Sequence, residues 1–211
     1  MFDKSILRNN IIKFEELGIN YWAINKNASS TLTMHFGEAV GDIQKPNLAE
    51  IQLGVSFKIK DEALSRYITP NEALNNGLLN FCVIRDPCRR FISVYNHLKH
   101  PQTEVQKNTI SKARFDYNWT PNDFMQHIAH TFETGTKINK HWRPQIDFIK
   151  DITQFDHVVK QEHMTEQWPL SHIIGPPKYV ANKTQHAEYD FDKQKLYRLY
   201  QQDFDELGYT I

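Results

Sequence analysis

The stretch Asn25-Lys26-Asn27-Ala28-Ser29-Ser30-Thr31 stands between a hydrophobic run at 19–24 and a helical pattern at 29–40. A strand that stops at a lysine and then enters a helix presents several backbone N–H groups at a positive dipole end. That is chemistry for an oxyanion. Ser29, Ser30 and Thr31 add hydroxyl donors, and the small side chains of Ala28, Ser29 and Ser30 let the backbone approach an anion. Lys26 can act as a mobile point charge on a leaving group. A phosphate loop of the triphosphatase kind needs glycines and a lysine at the helix start. Neither condition is met here, so that class is excluded. Taken alone, the stretch is read equally well as an ordinary helix start beside a surface lysine.

A second anion pattern runs from Phe81 to Tyr95: Phe81-Cys82-Val83-Ile84-Arg85-Asp86-Pro87-Cys88-Arg89-Arg90-Phe91-Ile92-Ser93-Val94-Tyr95. A strand ends at Arg85 and a helix starts at Pro87, where the missing N–H is not needed. Ser93 then lies roughly 9 Å up the helix at ~1.5 Å per residue. An arginine is long enough to reach the same anion as Ser93, and its planar fork suits two phosphate oxygens. Asp86 is placed to cap the helix. The plainer alternative pairs Arg85 with Asp86 and turns Ser93 into the core.

The elements that must position these residues follow an α/β alternation. Strands are expected at 19–24, 78–84 and 157–160, with a weaker one at 51–57. Helices are expected at 29–40, 87–99, 121–130 and 192–207. Thr120-Pro121 reads as an N-cap with proline at the first helical position. The stretches 100–118 and 175–189 read as loops. With 211 residues, no repeats and no linker, the chain is expected to form one domain, 1–211. Its 25 basic and 25 acidic residues cancel, so no overall charge draws it to nucleic acid and any anion site must be local. The two cysteines, Cys82 and Cys88, make no disulfide framework. Cys82 reads as core; Cys88 opens a helix, where a thiol can be activated, but no His or Asp partner accompanies it. No run is long and apolar enough for a transmembrane helix, and the first ten residues are not a signal peptide. One glycosylation acceptor, Asn27-Ala28-Ser29, falls in the anion loop, where a glycan would obstruct binding. A cytoplasmic protein, or a trimmed soluble catalytic domain, is therefore expected.

The two anion patterns together resemble those of the sulfotransferases that use 3′-phosphoadenosine 5′-phosphosulfate (PAPS). In that family P-K-x-x-x-[ST] cradles the 5′-phosphosulfate, and R-D-P-x-x-R-x-x-S-x-[YF] binds the 3′-phosphate. Residues 25–31 resemble the first, with Asn25 where proline is usual, and Arg85 to Tyr95 matches the second. The chain is also similar to the carbohydrate sulfotransferases and their soluble bacterial relatives. It shares their H-W-x-P-Q element, His141-Trp142-Arg143-Pro144-Gln145, a following strand at 155–160, and a late loop, Val180-Ala181-Asn182-Lys183-Thr184. It also shares their ending, residues 199–209. The likeness runs from Ile19 to Tyr209, with little of it in 41–76, where acceptor specificity is expected.

The resemblance implies a three-layer, P-loop-like α/β fold with a central, mainly parallel sheet flanked by helices. It implies sulfuryl transfer from PAPS to a hydroxyl, with a carbohydrate as the expected acceptor. Lys26, Asn27, Ala28, Ser29, Ser30 and Thr31 would hold the phosphosulfate, and Lys26 would stabilise the leaving phosphate. Arg85 and Ser93 would hold the 3′-phosphate, with Lys183 a third contact. A hydroxyl acceptor needs a general base, and His141 is the first choice; its alternative is a capping role in a turn packed by Trp142 and Pro144. His35, His97 and His100 read as surface or packing histidines. No His and Cys share metal-ligand spacing, so no metal is expected. Two rivals are a non-catalytic nucleotide-binding or interaction protein retaining the fold, and a P-loop kinase. Retention of Lys26, Arg85 and Ser93 argues against the first, and the missing glycines against the second.

Overall fold

The computed structural model describes residues 10–41, 66–101, 115–136, 138–178 and 188–211. The expected strand at 51–57, and Lys183, lie outside the described residues. The chain divides into two compact units, Met1–Arg85 with Phe148–Asn182 and Asp86–Asp147 with Lys183–Ile211.

The first unit is built on β1 (Ile11–Phe14), β2 (Ile19–Trp22), β3 (Leu79–Ile84) and β4 (His157–Lys160), in that spatial order. β1 is antiparallel to β2, and the other two pairs are parallel. The α/β class and the mainly parallel sheet are those expected. β1 was not foreseen. It is joined to β2 by a short turn that closes at Gly18, whose φ of 68° is left-handed and favours glycine. β2 is shorter than expected, because the chain leaves the ladder after Trp22. β3 is continuously apolar from Phe81 to Ile84, where it is paired on both edges and buried.

Among the described residues, α1 (Ser29–Ala39) and α2 (Pro70–Asn75) belong to this unit. α1 buries Leu32 and Phe36, one turn apart, in a core with Phe14, Tyr21, Phe81 and Trp168. α2 starts at a capping box, with Thr69 accepting from Glu72 N–H while the Glu72 carboxylate accepts from Thr69 N–H. A buried amide network ties α2 to the sheet: Asn20 Nδ2 donates to Ala73 O at 3.0 Å and to Asn76 Oδ1 at 2.9 Å.

Among the described residues, the second unit is helical. α3 (Pro87–Lys99) begins where expected, with Asp86 accepting from Arg89 N–H at 2.8 Å. Its Phe91, Val94, Tyr95 and Leu98 form one apolar stripe. α4 (Pro121–Glu133) has Thr120 as its N-cap and runs three residues beyond the expected end. α5 (Ile146–Ile149) is one turn at the boundary between the units. The expected single helix at 192–207 is instead two, α6 (Lys193–Leu199) and α7 (Gln201–Leu207). The break falls at Tyr200, whose φ of −119° is not helical. Its N–H is shared between Leu196 O and Tyr197 O at 3.0 and 3.2 Å, the tightening common in a last helical turn. Leu196, Tyr200 and Phe204 close the same core as the α3 stripe.

Candidate functional site

The loop between β2 and α1 has a strained backbone. Lys26 and Ala28 have φ values of 71° and 58°, while Asn27 between them does not share the positive φ. Alternation of left-handed and ordinary backbone is the pattern from which anion nests are built. It also costs about 1–2 kcal/mol per non-glycine residue in the left-handed region, so something must hold it. Two side chains do. Asn27 is fully buried and donates from Nδ2 to Val83 O on β3 at 2.9 Å, while its N–H donates to Ile24 O at 3.1 Å. Arg85, at the end of β3, donates from Nη1 to Lys26 O at 2.9 Å. Asn27 therefore fixes the loop from beneath, and Arg85 fixes its crest.

At the start of α1, Ala28 is the N-cap and supplies no side-chain cap, and the first turn holds no acidic residue. The N–H groups of the first helical residues have no intrahelical acceptor, and no carboxylate on the helix offsets the positive end. Lys26, Ala28, Ser29 and Ser30 are half-buried at this surface, whereas Thr31 is buried beneath it. The structure thus brings Lys26, Ala28, Ser29, Ser30 and the Arg85 guanidinium to one loop.

In the second unit, Ser93 lies buried two turns into α3. His141 sits on the turn that precedes α5. Asn139 Oδ1 accepts from His141 N–H at 3.0 Å and lies 2.8 Å from His141 Nδ1. An atom that accepts from a backbone N–H is the amide oxygen, so the ring nitrogen beside it carries the proton. Nε2 is then the nitrogen with the lone pair, as a base requires. The His97 ring, from the last turn of α3, stacks on His141 with centroids 5.5 Å apart and planes 20° from parallel.

Two groups that sequence reasoning missed hold this turn. Tyr200 Oη donates to Trp142 O at 2.6 Å. The Asp203 carboxylate accepts from Gln145 N–H at 2.8 Å on one oxygen and from Ile146 N–H at 2.9 Å on the other. Arg90, from α3, supplies the opposing charge. Asp203 is fully buried and Arg90 almost so. Burial holds the Asp203 carboxyl pKa above its ordinary value, a shift that Arg90 and the two N–H bonds oppose without cancelling. Nothing local marks Asp203, 58 residues from Gln145; the Asn139-x-His141 spacing, by contrast, is an Asx-turn pattern open to a sequence reader.

The remaining candidates are structural. His35 packs edge-on against Trp168 with Nε2 2.7 Å from Gly175 O, and burial lowers its pKa. Cys88 is not activated at its helix start: burial, then the Asp86 charge, push its thiol up to about 11. Among the described residues no three His, Cys, Asp or Glu side chains cluster to hold a metal ion, and no helix is long and apolar enough to cross a membrane.

Against known proteins, the model of the Sulfotransferase family matches residues 9–210. No curated protein and no solved structure matches the chain.

Proposed function

Because the chain belongs to the sulfotransferase family, we propose that it moves a sulfuryl group from PAPS to a hydroxyl acceptor of the carbohydrate class. The observation that carries this reading is the glycine-free nest at Lys26, braced by a guanidinium and opening a helix with no acidic residue in its first turn. Such a loop suits the 5′-phosphosulfate. The match over 9–210 runs through both units and supports reading 1–211 as one sulfotransferase domain. The carbohydrate acceptor rests on the resemblance carried by His141-Trp142-Arg143-Pro144-Gln145, the strand at 155–160, the loop at 180–184 and the ending at 199–209.

The acceptor oxygen attacks sulfur in line, and a new S–O bond forms as the bond to the bridging phosphate oxygen breaks. The electron pair stays on the departing 5′-phosphate. The Lys26 ammonium and the N–H groups at Ala28, Ser29 and Ser30 stabilise that charge, as an oxyanion hole does. The acceptor proton passes to Nε2 of His141. Arg85 and Ser93, with Lys183, take the 3′-phosphate, which distinguishes PAPS from adenylyl sulfate. The scheme uses no metal.

Calorimetric titration with 3′-phosphoadenosine 5′-phosphate, AMP and ADP tests the donor assignment. The doubly phosphorylated nucleotide is expected to bind tightest, and equal affinity for all three would sink it. For the base, His141→Ala is expected to abolish the limb of the pH–rate profile that the wild type shows; an unchanged profile and rate would move the base elsewhere. Labelled PAPS offered with a panel of glycans, lipids and simple alcohols tests the acceptor class.

A further inference from the structure

The turn that carries His141 is held from outside. Trp142 O, Gln145 N–H and Ile146 N–H all find partners on α6–α7, through Tyr200 and Asp203. Gln145 and Asp203 are both fully buried. A neutral acceptor would satisfy one N–H without the cost of burying a charge. A carboxylate does something a single acceptor cannot: each oxygen takes one of two consecutive N–H groups, which fixes both the position and the tilt of the turn. Arg90 offsets the charge from α3, one helical turn before Ser93. α3 meets the turn a second time where His97 stacks on His141.

We propose that Asp203 and Tyr200 are positioning residues for the transfer: through Gln145, Ile146 and Trp142 they set the orientation of the His141 imidazole relative to α3. This rests on the reading of His141 as the base. A merely structural bracket would lower stability and leave the imidazole and the turnover of the folded protein unchanged. A positioning bracket moves both, because misplacing a catalytic group by about 1 Å costs on the order of 100-fold.

The test follows release of 3′-phosphoadenosine 5′-phosphate from PAPS with water as the probe acceptor, at a temperature where each variant is folded. Asp203→Asn keeps an acceptor for one N–H and loses the second. It is expected to lower kcat by about 10–100-fold, to leave the affinity for 3′-phosphoadenosine 5′-phosphate within about twofold, and to shift the His141 imidazole resonances in NMR. Tyr200→Phe, which leaves the buried charges intact, is expected to lower kcat about fivefold, the equivalent of one hydrogen bond. Should Asp203→Asn not fold, Tyr200→Phe decides by the same two readings. Wild-type kcat and unmoved His141 resonances in the folded variant overturn the proposal. Loss of the resonance shift is separable from failure of the base assignment: if His141→Ala turns over normally, His141 is not the base, yet the resonances still report whether the bracket orients it.

Discussion

The loop at Lys26 and the turn at His141 are both short, irregular and held by buried side chains, but the signs of their braces differ. The loop is held by a neutral amide, Asn27, and a cation, Arg85. The turn is held by an anion, Asp203, with a phenol beside it. On the proposed function, the difference follows from what each would do. A carboxylate beneath the loop would cancel the potential that a departing phosphate needs, whereas a guanidinium adds to it. The turn is proposed to carry the base rather than to hold a phosphate, so a carboxylate can take two of its N–H groups at the cost of a compensating arginine, Arg90. The charge on a brace thus tells an anion site from a turn that only has to be aimed.

Lys26→Ala gives the strongest way to break that contrast. The backbone nest remains and the mobile charge goes, so turnover is expected to fall by about 100–1,000-fold, the range for losing one oxyanion donor. Affinity for the product nucleotide, measured by calorimetry, should change far less. Unchanged turnover would leave the loop a structural helix start. Arg85→Ala sharpens it next. The guanidinium holds Lys26 O and, on the proposed function, also takes the 3′-phosphate, so its loss is expected to weaken 3′-phosphoadenosine 5′-phosphate by tens of fold and AMP by several-fold, from a charge-assisted bond worth about 1.5–3 kcal/mol. If AMP binding is untouched, Arg85 does not brace the nest.

The same contrast explains what could be read in the sequence. The loop was legible because its parts are contiguous: a strand end, a lysine, small residues and a helix start. α3 and α4 were legible because Asp86-Pro87 and Thr120-Pro121 are local start signals. α2 carried such a signal too, the Thr69-Pro70-Asn71-Glu72 capping box, inside a stretch that matched little else. β1 has only four residues and depends on pairing with β2, so its own pattern is too short to announce it. The break at Tyr200 has no proline or glycine to mark it. Asp203 could not be found, since a buried carboxylate and an exposed helical one look alike until the partner 58 residues away is in place. Arg85 was read for its reach towards phosphate, and its bond to Lys26 O was invisible for the same reason.

A smaller effect probes the strain in the nest. Ala28 holds a left-handed φ of 58° without needing its Cβ for a cap. Ala28→Gly removes that steric cost and adds some unfolded-state entropy, so a net gain of about 0.5 kcal/mol is expected in denaturant unfolding. A loss of stability would mean that the loop is not strained at Ala28, and that Asn27 and Arg85 hold a shape the chain adopts unaided.

The smallest expected effect comes from a brace that is exposed rather than buried. Arg66 grips the Glu16 carboxylate with two bonds of 2.7 Å at the β1–β2 turn, and this holds the Glu16 pKa down to about 2, against an ordinary value of 4.5. A carboxyl whose folded pKa lies below its unfolded one contributes stability above the unfolded value and loses it as pH falls through the folded value. Solvent screening limits the contribution of such a pair to about 0.5 kcal/mol. Arg66→Ala should therefore lower stability by about that amount at neutral pH, and the two proteins should converge as pH falls from about 4.5 towards 2. A difference that persists below that window would assign the arginine's contribution to its contact with the Phe14 ring, 5.9 Å from the guanidinium carbon, since that contact does not titrate with Glu16.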